Sequence, residues 1–345
     1  MKKILVVTKH FKQEKIGGGA QKSIEYLVEN LKDDFKINVV CRKTNSESKI
    51  VKKFKFFNTK YYSQFDLIYL NSFFSPLTIY FLFLYNSRCL ISPKGELYKG
   101  ALANKYLKKI IWIKVFNLLF KRKILFHATS KEEEILIDRN VEPKKIYVAP
   151  DIIKLDFSGL KKTNKTLKAV FVSRIELKKN LSFCIEVLSK VKRDISFEIY
   201  GDIGDKDYFT YCISELKNLP KNISYSYNGV LKSNQVKDVF LNADLFFFPT
   251  LGENFGYIIL ESLSSYCFTI LSKGTTIFDN LNDYKIGINI DLNSDIYNWV
   301  NFIEEFKANN SKDNLVKYIN YLCNRFDEKK IIQSNKKLFN EIFKG

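Results

Sequence analysis

The sequence predicts an α/β protein built from two doubly wound domains, each a parallel sheet covered by helices on both faces. Short apolar runs alternate with segments of helical periodicity along nearly the whole chain. The alternation lapses once, in the polar and basic stretch 156–168, and then restarts. A length of 345 residues is enough for two domains of ordinary size. We expect ligands at the carboxyl ends of the strands, in a central cleft that the two domains face.

The first domain is predicted over residues 1–160. Its first strand, Ile4–Val7, is followed by a glycine-rich turn and by a helix with apolar residues at helical spacing from Ala20 to Leu31. A second, long helix is predicted over Lys105–Phe120, and a third begins within Glu132–Leu136. The other predicted strands are Ile37–Cys41, Leu67–Leu70, Cys89–Ile91, Ile124–Ala128 and Ile146–Val148.

The second domain is predicted over residues 161–325. Its predicted strands are Ala169–Ser173, Ser196–Tyr200, Ile223–Tyr227, Leu245–Phe248, Phe268–Leu271 and Ile286–Ile290. Its predicted helices are Asn180–Val191, Gln235–Phe240 and Tyr257–Ser265. The highly charged tail from Ile296 to Phe343 is predicted to be helical, and we expect residues 326–345 to return towards the first domain.

The net charge favours anionic partners. Lys and Arg total 56 and Asp and Glu total 37, which gives a net charge of +19. The chain is also rich in Asn, Ile, Phe and Tyr, so an alternative is that the excess of Lys is compositional. No nucleic-acid-binding signature is present, and we therefore expect no nucleic-acid partner.

The scarce residue types indicate a cytoplasmic protein without a metal. The six cysteines include no C-x-x-C pair, and we expect buried, reduced thiols. Two histidines are too few for a His-based metal site. The longest apolar run, Leu77–Leu84, is shorter than the ~20 residues of a membrane-spanning helix, so no span is predicted.

A glycine-rich turn, Gly17–Gly19, lies between the first strand and the first helix. Glycines let the backbone approach a ligand closely, and a helix start offers free N–H groups, so Gly18 and Gly19 are candidate ligand contacts. A nucleotide-triphosphate loop would need Gly where Gln21 stands. The alternative is an ordinary surface turn.

Two cations follow the first strand of the second domain. Arg174 comes directly after this strand, and Lys179 follows five residues later. Two permanent positive charges at the mouth of the cleft can hold a diphosphate and stabilise a departing nucleotide diphosphate. The alternative is a pair of solvated surface cations.

Two glutamates bracket a turn and a helix start. Glu253 is predicted in the loop after the fourth strand of the second domain, and Glu261 lies about two turns into the next helix. Neighbouring glycines let the backbone N–H groups of Asn254, Phe255 and Gly256 point at an anion. The two carboxylates can accept hydrogen bonds from a sugar and from a ribose. The alternative is a loop charge and a solvated helix residue.

Two features of the first domain are further candidates. Lys94 lies in a Pro-Lys-Gly turn at the end of a strand, where it can contact a phosphate or an acceptor; the alternative is an exposed turn. The segment Tyr106–Phe126 interleaves basic and aromatic residues, as in helices that lie on anionic membranes. Its charges do not fall cleanly on one face, which favours a core helix with a basic rim.

These residues together resemble glycosyltransferase family 4, a large family of retaining enzymes with the GT-B fold. The family's E-x7-E motif matches Glu253 and Glu261. Its Arg-x4-Lys pair matches Arg174 and Lys179. Its glycine-rich loop matches Gly17–Gly19, and Ser-Pro-Lys-Gly-Glu-Leu followed by Phe-His-Ala-Thr-Ser resembles bacterial members that build surface polysaccharides.

The resemblance implies a GT-B fold of two Rossmann-like domains, with the acceptor on the first and the nucleotide-sugar donor on the second. It implies a metal-independent, retaining transferase of the hexosyltransferase type that uses no cofactor. The donor would be UDP- or GDP-linked, and the acceptor a glycan or lipid-linked oligosaccharide of capsule, O-antigen or exopolysaccharide synthesis. Peripheral contact with the anionic inner face of the cytoplasmic membrane would suit such an acceptor.

The resemblance also implies residue roles. Arg174 and Lys179 would hold the donor diphosphate, and Glu253 would contact the hydroxyls of the donor sugar. Asn254–Gly256 would contact its phosphate or sugar, and Glu261 the ribose.

This sequence departs from the family in lacking its usual Gly-x-Pro, where Tyr266–Thr269 stands. Ser173 replaces a common Gly, and the region of Lys94 lacks a common His, which leaves a catalytic role there unassigned. Two other functions stay open: a nucleotide-sugar epimerase on the same fold, and a non-catalytic anion-binding subunit.

Overall fold

The computed structural model describes residues 1–11, 19–43, 50–98, 101–102 and 106–344, and it divides the chain into two compact units. Unit 1 comprises Met1–Lys154 together with Asp327–Gly345, and unit 2 comprises Leu155–Phe326. The change from unit 1 to unit 2, after Lys154, thus lies a few residues before the predicted boundary at 160.

Unit 1 contains a seven-stranded sheet in its described part, and every strand pair is parallel. Its strands are β1 Lys3–His10, β2 Lys36–Lys43, β3 Val51–Lys53, β4 Leu67–Asn71, β5 Cys89–Ser92, β6 Leu125–Ala128 and β7 Lys145–Val148. The strand order, β3-β2-β1-β4-β5-β6-β7, reverses direction between β1 and β4, as in doubly wound folds.

Helices cover this sheet and bury its apolar strands. In the described residues of unit 1 before residue 154, the helices are α1 Gly19–Leu31, α2 Thr59–Tyr62, α3 Pro76–Tyr85, α4 Tyr106–Phe120 and α5 Lys131–Asn140. One core cluster joins strand residues such as Ile68 and Ile91 to Phe81 of α3 and Phe116 of α4, all fully buried. Strands covered on both faces read as continuous apolar runs, which is why the sequence shows them clearly.

Unit 2 repeats this architecture with six parallel strands in its described part. They are β8 Leu167–Val172, β9 Ile195–Tyr200, β10 Ile223–Tyr227, β11 Leu245–Phe248, β12 Phe268–Ser272 and β13 Gly287–Ile290. The order β10-β9-β8-β11-β12-β13 again reverses direction, here between β8 and β11. Two parallel sheets with interleaved helices confirm the predicted α/β class.

The remaining helices are α6 Leu181–Leu188, α7 Lys206–Leu216, α8 Val236–Leu241, α9 Tyr257–Ser264, α10 Leu281–Tyr284, α11 Tyr297–Glu305, α12 Lys312–Arg325 and α13 Glu328–Lys344. Trp299 of α11 is fully buried in unit 2, where its ring packs against Phe183 and Phe247. The last helix, α13, belongs to unit 1. Its buried Phe339 packs against Phe35 and Tyr69, each with ring centroids 5.9 Å apart.

Several elements differ from the expectation. Sequence periodicity did not predict β3, α2, α3, α7 or α10. The tail, predicted only as helical, is divided into α11, α12 and α13. Cys323 is exposed, whereas the other five cysteines are buried as expected. No helix in the described part of the chain combines the length and the apolar character that a membrane crossing requires.

Candidate active site

The candidate site of unit 2 lies where β8 and β11 end. These strands are adjacent and parallel, with Leu245 paired to Ala169, so the loops after them start side by side. Two hydrogen bonds hold these loops together: Leu251 N–H donates to the Lys178 carbonyl (2.9 Å), and Asn180 Nδ2 donates to the Pro249 carbonyl (3.0 Å). Because the strand order reverses here, this edge is the place where doubly wound sheets bind ligands.

Lys179 and Glu253 form an ion pair between Nζ and Oε1 across these two loops. Their side chains are only 15% and 13% exposed, so water screens the two charges little. The Lys179 ammonium also lies 5.7 Å from the ring centroid of Phe248. The structure thereby joins two sequence-predicted residues that are 74 positions apart.

A hydroxyl and a second cation lie beside this pair. Thr250 is fully buried, and its Oγ1 lies 3.3 Å from Glu253 Oε1, 3.2 Å from the Lys178 carbonyl and 3.3 Å from the Gly252 carbonyl. One hydroxyl proton can serve one of these three acceptors at a time. Lys178 is half-buried, and its pKa is lowered by that burial and by the positive charge of Lys179. The carboxyl edge of the sheet therefore carries two lysine side chains, Lys178 and Lys179, that are only partly hydrated.

Backbone hydrogen bonds fix the loop that carries Glu253. Its N–H donates to the Thr275 carbonyl (2.8 Å), Ser272 Oγ donates to the Thr250 carbonyl, and Ser272 Oγ and Thr275 Oγ1 are 2.8 Å apart. Thr250, Ser272 and Thr275 were not among the predicted site residues. Their only sequence signal is position, since they follow the carboxyl ends of β11 and β12.

Glu261 and the residues before α9 lie on the same continuous segment. Gly256 precedes α9 with φ of +79°, a conformation that glycine adopts without strain, and it turns the loop into the helix. Phe255 packs against Tyr257, Phe278 and Phe326. Glu261 lies in the second turn of α9 and is partly buried. The positive end of the helix dipole thus lies just beyond Asn254–Gly256.

Arg174 lies on the loop after β8, but its ion pair is with Glu176, at 3.7 Å from Nη1 to Oε2, and not with Glu253. Its side chain is 59% exposed. Gly204 gives it room, because a Cβ on Gly204 would stand 2.5 Å from Arg174 Cδ. Arg174 is therefore an accessible cation near one end of the edge.

The loops that follow β8 and β9 pack closely against each other at Gly201, the residue directly after β9. Gly201 has φ of +152°, and a Cβ there would overlap the carbonyl oxygen of Ser173. Its N–H donates to the Gly229 carbonyl (2.8 Å), and Ser173 N–H donates to the Tyr200 carbonyl (3.0 Å). This packing holds the start of the loop that carries Arg174 and Lys179.

In unit 1, Lys94 is a buried structural cation rather than an exposed one. Its ammonium pairs with Asp151 and donates to Ser23 Oγ (2.9 Å), and the side chains of Lys94 and Asp151 are 6% and 4% exposed. Lys94 also lies in the left-handed region, with φ of +52°. An ammonium held in this way has little freedom to contact a phosphate or an acceptor.

The glycine-rich turn of unit 1 is described only in part. Gly18 lies outside the described residues, and Gly19 is the first residue of α1. Within the described ranges, no cluster of three His, Cys, Asp or Glu side chains could hold a metal ion.

Unit 2 also has a cavity of about 380 Å³, lined in part by Asp244, Phe268, Phe302 and Tyr318. Asp244 and Phe268 stand at the amino ends of β11 and β12. The cavity therefore lies at the edge of the sheet opposite to the Lys179–Glu253 pair, and we do not include it in the candidate site.

Comparison with known proteins matches this part of the chain to one family. Residues 153–322 match the family model described as "Glycosyl transferases group 1". No curated protein matches the sequence.

Solved structures resemble the chain over its whole length. It is similar to Alr3699/HepE of Anabaena, solved in complex with UDP-glucose, at 15% identity and a TM-score of 0.74, covering 99% of this chain and 100% of that one. It is similar to sucrose-phosphate synthase of Thermosynechococcus elongatus at 14% identity and a TM-score of 0.75, covering 99% of both chains. It is also similar to WaaG, a glycosyltransferase involved in lipopolysaccharide biosynthesis, at 11% identity and a TM-score of 0.70, covering 97% of this chain and 99% of that one. At such identities the likeness establishes the fold, which is the expected GT-B fold.

Proposed function

We propose that the protein is a glycosyltransferase that binds a nucleotide diphosphate sugar on unit 2 and transfers the sugar to a glycan acceptor. The observation that carries this proposal is the Lys179–Glu253 ion pair at the carboxyl edge between β8 and β11. It lies inside the region that matches the family model for glycosyl transferases. Two further cations, Lys178 and Arg174, lie on the same loop.

In this proposal, Lys179 and Arg174 bind the donor diphosphate. The bond from the anomeric carbon to the diphosphate oxygen breaks, and the electron pair stays on the nucleotide diphosphate. An acceptor hydroxyl oxygen bonds to the anomeric carbon, and its proton passes to the departing diphosphate. Lys179, already in place and largely shielded from water, and the more exposed Arg174 stabilise the growing negative charge of the diphosphate. Glu253 is then free to accept hydrogen bonds from the hydroxyls of the sugar.

The segment after Glu253 completes the donor site. Backbone N–H groups of Asn254–Gly256, near the positive end of α9, would bind the phosphate or the sugar. Glu261, in the second turn of α9, would accept hydrogen bonds from the ribose hydroxyls. By the family pattern alone, Gly18 and Gly19 of unit 1 would also contact the donor.

The finer features of the proposal rest on the resemblance to glycosyltransferase family 4. They are retention of the anomeric configuration, hexosyl transfer from a UDP- or GDP-linked donor, and independence from metal. The acceptor would be a glycan or lipid-linked oligosaccharide of a bacterial surface polysaccharide, reached at the inner face of the cytoplasmic membrane. Similar proteins agree in part, since Alr3699/HepE was solved in complex with UDP-glucose and WaaG is involved in lipopolysaccharide biosynthesis.

Calorimetric titration of the purified chain with UDP, GDP, ADP and CMP, with and without EDTA, tests the donor site. We expect one nucleoside diphosphate to bind and EDTA to leave its affinity unchanged. Lys179→Met should weaken that binding by about tenfold or more, because hydrogen bonds to charged groups are strong. The matched control is Lys307→Met, which removes an exposed lysine at the opposite edge of the sheet. Absence of binding by all four nucleotides, or equal binding by the Lys179 variant, would reject the donor site.

A second measurement tests the reaction. The chain is incubated with the sugar nucleotide of the base that binds, and the products are separated. Release of nucleotide diphosphate together with free or transferred sugar is expected. Formation of an epimeric sugar without transfer would instead assign the protein to the nucleotide-sugar epimerases.

A further inference from the structure

Helix α4 of unit 1 has two apolar faces, of which only one is covered. Ile113, Phe116 and Phe120 are buried in the core of unit 1. Leu107, Ile111 and Leu118 are instead 74%, 61% and 82% exposed. A helix that is apolar on all sides is normally buried on all sides. In the described part of the chain, nothing covers the exposed face of α4.

The exposed residues form a continuous stripe. At 3.6 residues per turn, successive side chains are about 100° apart, so four exposed aliphatic positions fall within an arc of about 80°. These four residues, which we call the apolar stripe, are Leu107, Ile111, Val115 and Leu118. The stripe runs the length of the helix, on the side away from Phe116.

Lysines border the apolar stripe on both sides. The same geometry places Lys108 along one border and Lys114 and Lys121 along the other. Lys108 and Lys114 are exposed, and Lys121 pairs with Glu142 at 2.8 Å. The helix itself contains no acidic residue. In the sequence, the interleaving of charged and apolar residues favoured a core helix. On the folded helix, however, the apolar stripe is separate from the lysines that border it.

Helix α3 also exposes apolar side chains near the end of α4. Phe83 and Leu84 are 59% and 49% exposed, although α3 buries Leu77, Phe81 and Leu82. The rings of Phe83 and Phe120 pack edge to face, with centroids 5.5 Å apart, so Phe83 lies beside the carboxyl end of α4. Exposed apolar patches mark interaction surfaces.

We propose that the apolar stripe lies in the interface of a membrane with anionic headgroups. Apolar side chains enter the boundary between headgroups and acyl chains, while the flanking lysines meet the phosphates. A second copy of the chain is a poorer occupant, because two stripes facing each other would bring basic borders against basic borders. This inference deepens the membrane contact in the proposed function and rests on it, but it requires no catalytic turnover.

Co-sedimentation of the full-length chain with lipid vesicles tests the inference. Neutral vesicles of phosphatidylcholine are compared with vesicles that contain about one third phosphatidylglycerol. We expect binding to the anionic vesicles that weakens with salt. The Leu107→Ser/Ile111→Ser/Leu118→Ser variant should bind at least tenfold more weakly, because three exposed aliphatic groups no longer enter the lipid. Lys108→Gln/Lys114→Gln should lose about tenfold on anionic vesicles and little on neutral ones.

The matched control is Leu160→Ser/Val316→Ser, which removes two exposed aliphatic side chains of unit 2. It should bind vesicles as the original chain does. Retained binding by the triple serine variant, or equal binding of the original chain to neutral and anionic vesicles, would overturn the inference. So would a dimer in lipid-free solution that the triple variant abolishes. All these variants should bind the nucleotide with unchanged affinity, so a failed donor site and a failed lipid surface give different results.

Discussion

At the scale of single residues, Lys179 and Glu253 hold opposite charges together in surroundings that exclude most water. Removing one member of such a pair leaves the other charge desolvated and unpaired, which is costly. In the proposed reaction the donor phosphates take the place of Glu253 as the partner of Lys179. Glu253 can then turn to the sugar, so we expect its loss to affect the chemical step more than binding of the nucleotide.

Glu253→Gln and Glu261→Ala should therefore have different kinetic effects. We expect Glu253→Gln to lower turnover by about a hundredfold or more while nucleotide affinity changes little, since it removes a charge needed in the transition state. Glu261→Ala should weaken nucleotide binding by about tenfold through the lost ribose contact. Steady-state kinetics and calorimetric titration measure both effects, with Glu305→Gln as the control at the opposite edge. Unchanged kinetics in both variants would contradict the assignment.

A second residue-scale prediction concerns His127, which is fully buried. Its Nε2 lies 2.9 Å from the Ala149 carbonyl and donates to it, so Nδ1 accepts from Tyr69 Oη at 3.0 Å. Burial, and next the charge of Lys94, lower its pKa to about 4, although Asp151 opposes this. The unfolded chain binds this proton near pH 6.5, so its contribution to stability is complete above that pH and is lost as the pH falls towards 4.

From pH 7 to pH 4 this one group should cost about 3 kcal/mol of unfolding free energy. His127→Gln can keep both hydrogen bonds without titrating, and its stability should fall less over the same range. Urea unfolding of both proteins at pH 7 and pH 4 measures the difference. Equal losses in the two proteins would show that His127 is not the cause.

The sequence predicts candidate residues but not their surroundings. The spacing of glycines, cations and acids predicts Arg174, Lys179, Glu253 and Glu261 as donor-site residues, and their roles stay predictions. It could not predict that Lys94 is buried against Asp151, because these residues are 57 positions apart and only the tertiary fold joins them. Thr250 and Ser272 could not be predicted either, because their contacts join separate loops of the fold.

At the scale of elements, the loops that follow β8 and β9 depend on close contact between their backbones. Gly201 lies against the Ser173 carbonyl, and no side chain fits between them. The loop that follows Ser173 carries Arg174 and Lys179. A displacement at Gly201 should therefore affect the donor site as well as stability.

Gly201→Ala tests this dependence. We expect it to destabilise unit 2 by about 3 kcal/mol or more, because overpacking adds to the strain of a positive φ. Gly229→Ala is the matched control, since its φ is +70° and no atom lies within 4 Å of the added Cβ, which leaves a cost of about 1 kcal/mol. Urea unfolding gives both values, and nucleotide titration should show weaker binding only for Gly201→Ala. Equal costs would mean that the close contact does not constrain the loop.

Elements with a clear apolar pattern, either a short buried run or helical spacing, were most of those that the sequence predicted. Most strands appear as apolar runs because both of their faces are buried. The helix α3 was missed because Leu77–Leu84 is apolar throughout and shows no period, so only the cap Ser75 and Pro76 at the first turn mark it. The edge strand β3 has two exposed residues of three and leaves almost no apolar signal.

At the scale of the whole molecule, each unit has its own sheet, its own core and one tryptophan. Trp112 lies in α4 of unit 1, where Nε1 donates to the Phe73 carbonyl (3.2 Å), and Trp299 is buried in unit 2. The chain has two tryptophans in all, so each reports on one unit. Two similar α/β halves could be predicted from the sequence. The packing of α13 on unit 1 depends on tertiary contacts that the sequence does not show.

Single-tryptophan variants test whether the donor acts on one unit. In Trp112→Phe the fluorescence melting curve reports on unit 2, and in Trp299→Phe it reports on unit 1. A nucleotide at a hundred times its Kd should stabilise unit 2 by about 2.7 kcal/mol, which raises its Tm by roughly 5–10 °C. The transition seen through Trp112 should move little. If both transitions move equally, the two units unfold cooperatively and the prediction is wrong.

The position of α13 has a consequence for synthesis on the ribosome. Phe339 covers Phe35 and Tyr69, and Asn335 Nδ2 donates to the Pro150 carbonyl at 2.8 Å, so α13 completes unit 1. It is translated only after all of Leu155–Phe326. At ordinary elongation rates that interval lasts roughly ten to thirty seconds. During it the nascent first unit carries an uncovered aromatic surface, while unit 2, whose sequence is continuous, needs no later segment. The order of maturation would then be reversed, and the half made first would be the half most in need of a chaperone.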